Sequence, residues 1–151
     1  MTDLALSWNA DVAQADLALA GFDLATDDGL KTAVIISLFT DARALDDDTL
    51  PDGAADPRGW WGDGFADVDG DRIGSRLWLL RRAKRTADTL PRAVEYAEEA
   101  LAWLVDDAVA SSVAVTAEWL GDSGLALTVE IIRPSGLSAQ FLFVWEAMRG
   151  V

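Results

Sequence analysis

The sequence predicts an α+β domain in which two or three helices pack on one face of a small, mostly antiparallel sheet. Three observations carry this. Residues 112–146 hold three runs of alternating apolar and polar residues separated by two glycine turns, the pattern of an antiparallel meander. Residues 88–110 repeat apolar positions at helical spacing behind a capping residue. Residues 27–40 carry a second, shorter helical run. With 151 residues, no internal repeat and no separate linker, the chain reads as one domain over 1–151.

Taken in order, residues 1–26 read as one or two short strands. Leu4, Leu6 and Trp8 fall on one side of an extended segment, and a second run carries Leu17, Leu19 and Gly21-Phe22. Asp27 or Asp28 is placed to cap the helix of 27–40, because a short carboxylate accepts the free N–H groups of a first turn. Leu30, Val34, Ile35 and Leu38 share its apolar face. Residues 41–71 change character: ten aspartates, no glutamate, two arginines, five glycines and two prolines. Such a stretch favours turns over packed elements. We expect an exposed Asp-rich loop at about 42–58 and an ordered return over 59–66, where Trp60 and Trp61 stand together.

Residues 72–85 hold half of all the bases: Arg72, Arg76, Arg81, Arg82, Lys84 and Arg85. They enclose Leu77-Trp78-Leu79-Leu80, read as a short helix. Asp88 or Thr89 then caps the clearest helix, with Pro91 in its first turn where a missing N–H does no harm. Leu90, Val94, Ala97, Leu101 and Leu104 set its buried stripe to about residue 110, a length of about 33 Å. The meander follows, over 113–119, 125–131 and 137–145, with turns at 121–124 and 133–136.

Composition excludes several classes of function. There is no cysteine, hence no disulfide, thiolate nucleophile or Cys-type zinc site, and no histidine, hence no imidazole base or ligand. With 26 acids against 12 bases the net charge is −14, which opposes tracking of phosphates and makes a nucleic-acid partner unexpected. Hydrophobic residues make up 51 %, enough for a real core, yet no apolar stretch approaches the roughly 20 residues of a membrane span. Met1-Thr2-Asp3-Leu4 has neither a basic start nor a signal core. The expectation is a soluble cytoplasmic protein with no membrane partner.

The candidates for chemistry are weak. Counted from Asp67, acids stand at positions 1, 3 and 5 of a calcium loop, but position 6 is Arg72 instead of glycine and position 12 is Trp78 instead of glutamate. An aspartate-rich turn is the better reading, and no metal or cofactor is expected. Glu95, Glu98 and Glu99 are neighbours on a helix surface away from its apolar stripe, so a solvated face is expected in place of a catalytic pair. The bases of 72–85 fit either a protein contact or internal pairing with the Asp-rich loop before them. Trp60 and Trp61, adjacent in an extended segment, point to opposite sides, so one can bury while the other is presented; burial of both under the loop is the competing reading. Trp78, Trp103, Trp119 and Trp145 are expected in the core. The residues offered for partner binding are Arg58, Trp60, Trp61, Arg72 and Arg76, since tryptophan and arginine anchor interfaces. No catalytic residue is assigned.

A wider resemblance rests on the order of motifs. Asp28-Gly29-Leu30-Lys31-Thr32-Ala33-Val34 is followed by Ser37-Leu38-Phe39-Thr40-Asp41 and by Arg58-Gly59-Trp60-Trp61-Gly62-Asp63. Then come Gly74-Ser75-Arg76-Leu77-Trp78-Leu79-Leu80 and Ala100-Leu101-Ala102-Trp103-Leu104. This resembles the Mu-like phage and prophage baseplate proteins, a branch related to the sheath-initiator (wedge) proteins of contractile tails, over roughly residues 15–146. The resemblance implies a structural, non-enzymatic protein in the tail baseplate, assembled in the host cytoplasm. Its partners would be wedge, spike or sheath subunits within a six-fold baseplate, met by strands added to an open sheet edge. The Glu-Pro-Arg triplet frequent in sheath initiators is absent here. The alternative is a small acidic enzyme, or a ligand- or metal-binding domain, using carboxylates near the Asp-rich loop. A third is an acidic adaptor that mimics nucleic acid.

Overall fold

A computed structural model describes residues 3–145, apart from 13, 21, 22, 25, 28, 82, 84 and 123. Its architecture is α+β, with the meander at the C-terminal side as the sequence predicts. Strands β7 (Ser112–Leu120), β8 (Gly124–Ile132) and β9 (Ser138–Trp145) pair antiparallel in the order β7-β8-β9. The register sets Val115 opposite Val129 and Val129 opposite Phe141, with Leu127 opposite Phe143. The alternation therefore sends one set of side chains inward, and Leu125, Leu127, Val129 and Ile131 of the central strand are fully buried.

Helix α1 (Leu30–Phe39) and helix α2 (Thr89–Leu101) close that inner face, with a short continuation, α3 (Trp103–Asp106). The core gathers Val34, Ile35 and Leu38 of α1, Ala93, Tyr96, Ala97 and Leu101 of α2, and the inward row of the sheet. α1 is buried on most of its circumference, which is why the β-branched run Val34-Ile35-Ile36 is tolerated: packing outweighs propensity. Its N-cap is Gly29, in the left-handed region at φ 82°, with no side-chain cap bond. Asp27 does not hold the cap position, since its backbone belongs to a strand paired with Asp3; Asp28 lies outside the described residues.

The long helix is shorter than its spacing predicts. It ends at Asp106, where Ala108 turns left-handed at φ 57° and the Ala110 N–H closes on the Leu104 carbonyl at 2.7 Å. Ser111 N–H then donates to the Ile132 carbonyl, so entry into the sheet stops the helix. Asp88 holds the N-cap position without a side-chain bond.

Residues 3–27 form three small antiparallel ribbons instead of one or two strands. β1 (Asp3–Leu4) pairs β6 (Thr26–Asp27), β2 (Leu6–Asn9) pairs β3 (Gln14–Leu17), and β4 (Leu19–Ala20) pairs β5 (Asp23–Leu24). Gly21 and Phe22 lie outside the described residues. The ribbons attach to the body through side chains. The buried Thr32 hydroxyl accepts from Leu6 N–H and donates to the Leu4 carbonyl. Trp8 stacks on Phe39 with centroids 3.6 Å apart, and its indole N–H donates to the Val144 carbonyl of β9 at 2.9 Å.

The segment from Thr40 to Ser75 has little regular structure and is fixed point by point. Its two ends meet in a parallel bridge between Asp41 and Ser75, flanked by Ser75 N–H to the Thr40 carbonyl and Ala42 N–H to the Ser75 carbonyl. Gly74 makes this approach possible: its φ is 103°, and a Cβ there would lie 2.5 Å from the Thr40 carbonyl oxygen. Buried Trp78, on the short 3-10 turn Arg76–Leu80, donates its indole N–H to the Ala42 carbonyl at 2.7 Å. Among the described residues no helix is long and apolar enough to cross a membrane.

Candidate partner-binding site

The Asp-rich segment returns to the body through a sharp turn. Arg58 is itself left-handed at φ 54° and Gly59 follows at φ 113°. Asp56 steadies the turn by accepting the Arg58 N–H at 2.9 Å. The Arg58 guanidinium donates to Asp41 at 2.7 Å and lies 4.5 Å over the Trp78 ring. Arg58 thus pins the return and points to the chain's own groups.

Beyond this pin the chain makes the 3-10 turn Trp61–Phe65. The turn carries both tryptophans and Phe65 toward the same region. Trp60 and Trp61 centroids are 5.5 Å apart, and Trp61 meets Phe65 edge-on at 6.1 Å. Gly62 permits this, since a Cβ there would run into the Trp60 ring. Neither tryptophan fills the core: Trp60 is 43 % exposed, Trp61 77 % and Phe65 79 %. The expected opposition of the two side chains fails because Trp61 opens a helical turn and the segment is not extended there.

These rings form one wall of an open groove of about 610 Å³. Ala33, Ile36 and Ser37 of α1 and Trp103 of α3 line it as well. Trp103 is 36 % exposed and is held by its indole N–H, which donates to the buried Ser37 hydroxyl at 3.0 Å. It is therefore a groove residue and not part of the core. Asp63, Asp67, Asp71 and Asp107 also line the groove, with Arg72 as its one described base. Asp63 joins the two limbs of the segment by accepting the Ile73 N–H at 3.1 Å. Arg72 is exposed and forms no ion pair among the described residues.

Of the five residues offered for partner binding, the structure brings Trp60, Trp61 and Arg72 to this groove. Arg58 and Arg76 do not line it. Arg76 pairs with Asp48 at 3.0 Å and Glu99 at 2.6 Å, lies 4.5 Å over Tyr96, and has a side chain only 11 % exposed. Burial acts to lower its pKa, but the hydrogen bonds it donates to Glu99 and Asp48 outweigh that and hold it above the ordinary arginine value. The internal pairing of this basic stretch with the Asp-rich loop is thus realised at Arg76. Glu95 and Glu98 lie exposed on α2, and Glu99 is taken by Arg76.

Phe65 and Ile36 are groove residues that the sequence reading does not single out, and Trp103 is one that it expects in the core. A sequence signal marks two of them. Phe65 stands four residues after Trp61 in the same glycine-flanked stretch, and Trp103 sits beside the Leu101–Leu104 stripe and not on it. Trp78 is core as expected, Trp119 is half-buried beneath Arg85, and the Trp145 side chain lies outside the described residues. No three acidic side chains converge as a metal site among the described residues.

A second surface is the sheet itself. Among the described residues β7 and β9 each pair with β8 alone, so each has one outer edge. The face away from the helices carries Thr116, Thr128 and exposed Leu142 in one cross-strand row.

The sequence model of the family described as phage protein GP46 matches residues 30–138, from the start of α1 to the start of β9. The baseplate protein gp46 of Escherichia phage Mu is 54 % identical over 136 residues, covering 90 % of each chain. The Mu-like prophage FluMu protein gp46 of Haemophilus influenzae is 43 % identical over 143 residues, covering 95 % of this chain and 96 % of its own. With a family match that spans the groove, both helices and the first two strands of the meander, this chain belongs to the GP46 family of phage proteins.

Proposed function

We propose that the protein is a structural, non-enzymatic component of a contractile-tail baseplate, built in the host cytoplasm and retained in the virion. The observation that carries this is its likeness, along nine-tenths of both chains, to the Mu baseplate protein. The surfaces agree with such a role: an exposed aromatic groove and two outer strand edges are means of holding other proteins. Wedge and sheath subunits are the proposed partners. A strand from one of them adds to the meander, where backbone hydrogen bonds give strength and alternate side chains give register.

The test is deletion of the gene from an inducible prophage, followed by electron microscopy and sedimentation of the lysate. The expected outcome is loss of full contractile tails, restored by the wild-type chain in trans, with that chain sedimenting in the restored tails. Normal tails in its absence would sink the proposal.

A further inference from the structure

The molecule repeats one arrangement inside itself: a guanidinium lying on an aromatic face while a carboxylate pairs with its edge. Arg58 lies on Trp78 with Asp41, and Arg76 lies on Tyr96 with Asp48 and Glu99. The groove displays the aromatic and acidic components of that arrangement on the surface. Trp60, Trp61, Phe65 and Trp103 supply ring faces, and Asp67, Asp71 and Asp107 stand exposed around them. Exposure of two large aromatic side chains beyond three-quarters is costly for a free surface and marks a contact site.

We propose that this groove receives a basic, extended segment of another protein, which lays a Lys or Arg side chain on the rings among the aspartates. That the donor is another tail protein rests on the baseplate reading; the chemistry of the groove does not. Charge chooses the occupant. A nucleic acid or an anionic membrane meets carboxylates and a chain of net charge −14, and a second copy brings the same charge. A basic segment gains from both ring and carboxylate. The hydrogen bond from Trp103 to Ser37 and the seat of Trp60 on Gly62 hold the walls in place beforehand, so little side-chain freedom is lost on binding.

The test titrates the 15N-labelled full chain with a capped hexapeptide alternating Arg and Leu, against the same peptide with Glu for Arg. Indole resonances are assigned with Trp60→Phe, Trp61→Phe and Trp103→Phe. The expected result is a saturable shift of these three indoles with the Arg peptide and none at buried Trp78. Affinity should fall about tenfold between about 0.05 and 0.5 M salt, and about tenfold again in Trp61→Ala with the rest of the spectrum retained. No saturable shift, or an equal response to the Glu peptide, overturns the proposal. A second arm places a photo-crosslinking side chain at Phe65 in assembled tails. A crosslink to a basic segment of a different chain supports the proposal; one to an acidic segment, to nucleic acid or to a second copy overturns it. If the chain is absent from tails, the baseplate reading fails and the peptide titration alone decides the groove.

Discussion

The meander and the Thr40–Ser75 segment are held by different kinds of contact. The meander is fixed by area: strands of eight and nine residues bury the inward row of the central strand completely and those of its neighbours in part, and any single contact is a small share of the whole. The segment is fixed by position. It hangs on Gly74, on Arg58 and Arg76, and on a handful of backbone bonds at its ends. The first arrangement tolerates drift on its exposed face. The second carries the exposed aromatics, and it holds them with groups that have no spare neighbour.

The comparison can be broken from the sheet side. Leu127→Ala removes a fully buried side chain at the middle of β8 and should cost about 3 kcal/mol in urea unfolding. A loss below about 1 kcal/mol would mean that the sheet is not the main source of stability.

Gly74→Ala probes the segment. The left-handed backbone and the crowded Thr40 carbonyl should cost about 2 kcal/mol, with the loss showing first as faster amide exchange at Ala42 and Ser75. Wild-type exchange there would show that the two ends need no glycine.

Arg76→Met keeps the apolar stem and removes the charge. It should cost about 1–2 kcal/mol and release the Leu45 amide, which donates to the Asp48 carboxylate that Arg76 holds. Unchanged protection at Leu45 would remove Arg76 from the account of this loop.

The smallest effect is alkaline. Burial, then the Asp48 charge, pushes the phenol of Tyr96 above its ordinary value. The folded state therefore keeps its proton longer than the unfolded chain. Its contribution is complete below about pH 10, the unfolded value, and is lost as pH rises through the folded one. Tyr96 is the chain's only tyrosine and the tryptophans do not ionise, so the phenolate absorbance that appears with rising pH reads it alone. A midpoint at or below the free value would contradict the packing described, and Tyr96→Phe should flatten the stability curve in that window.

What the sequence made legible follows the same division. Period-2 alternation fixed the meander to within a residue or two, since each strand's pattern is local and its turns carry glycine. The stripe of α2 was equally local. The stop at Asp106 was not, because the signal is a left-handed alanine, a residue that announces no such turn. The six short strands of the N-terminal ribbons escaped because their pairing spans up to 24 residues and no alternation is long enough to show it. At the groove, Trp60 and Trp61 stood out by residue type, but their direction depends on Gly62 and on a 3-10 turn. Arg58 and Arg76 stood out by charge, and their partners lie 17, 28 and 23 residues away, beyond any local rule.

The indole of Trp8 has one more effect, at the far rim of the sheet. It occupies the carbonyl of Val144, and residues two apart along an outer strand turn their bonding groups the same way. A newcomer lying against β9 therefore finds Leu142 and Gln140 but must stop short of the strand's end or evict a ring stacked on Phe39. Along β7 the described residues place a side-chain bond only past the strand's end, from Arg85 to the Gly121 carbonyl, so a strand added to this sheet would meet fewer obstacles on that side.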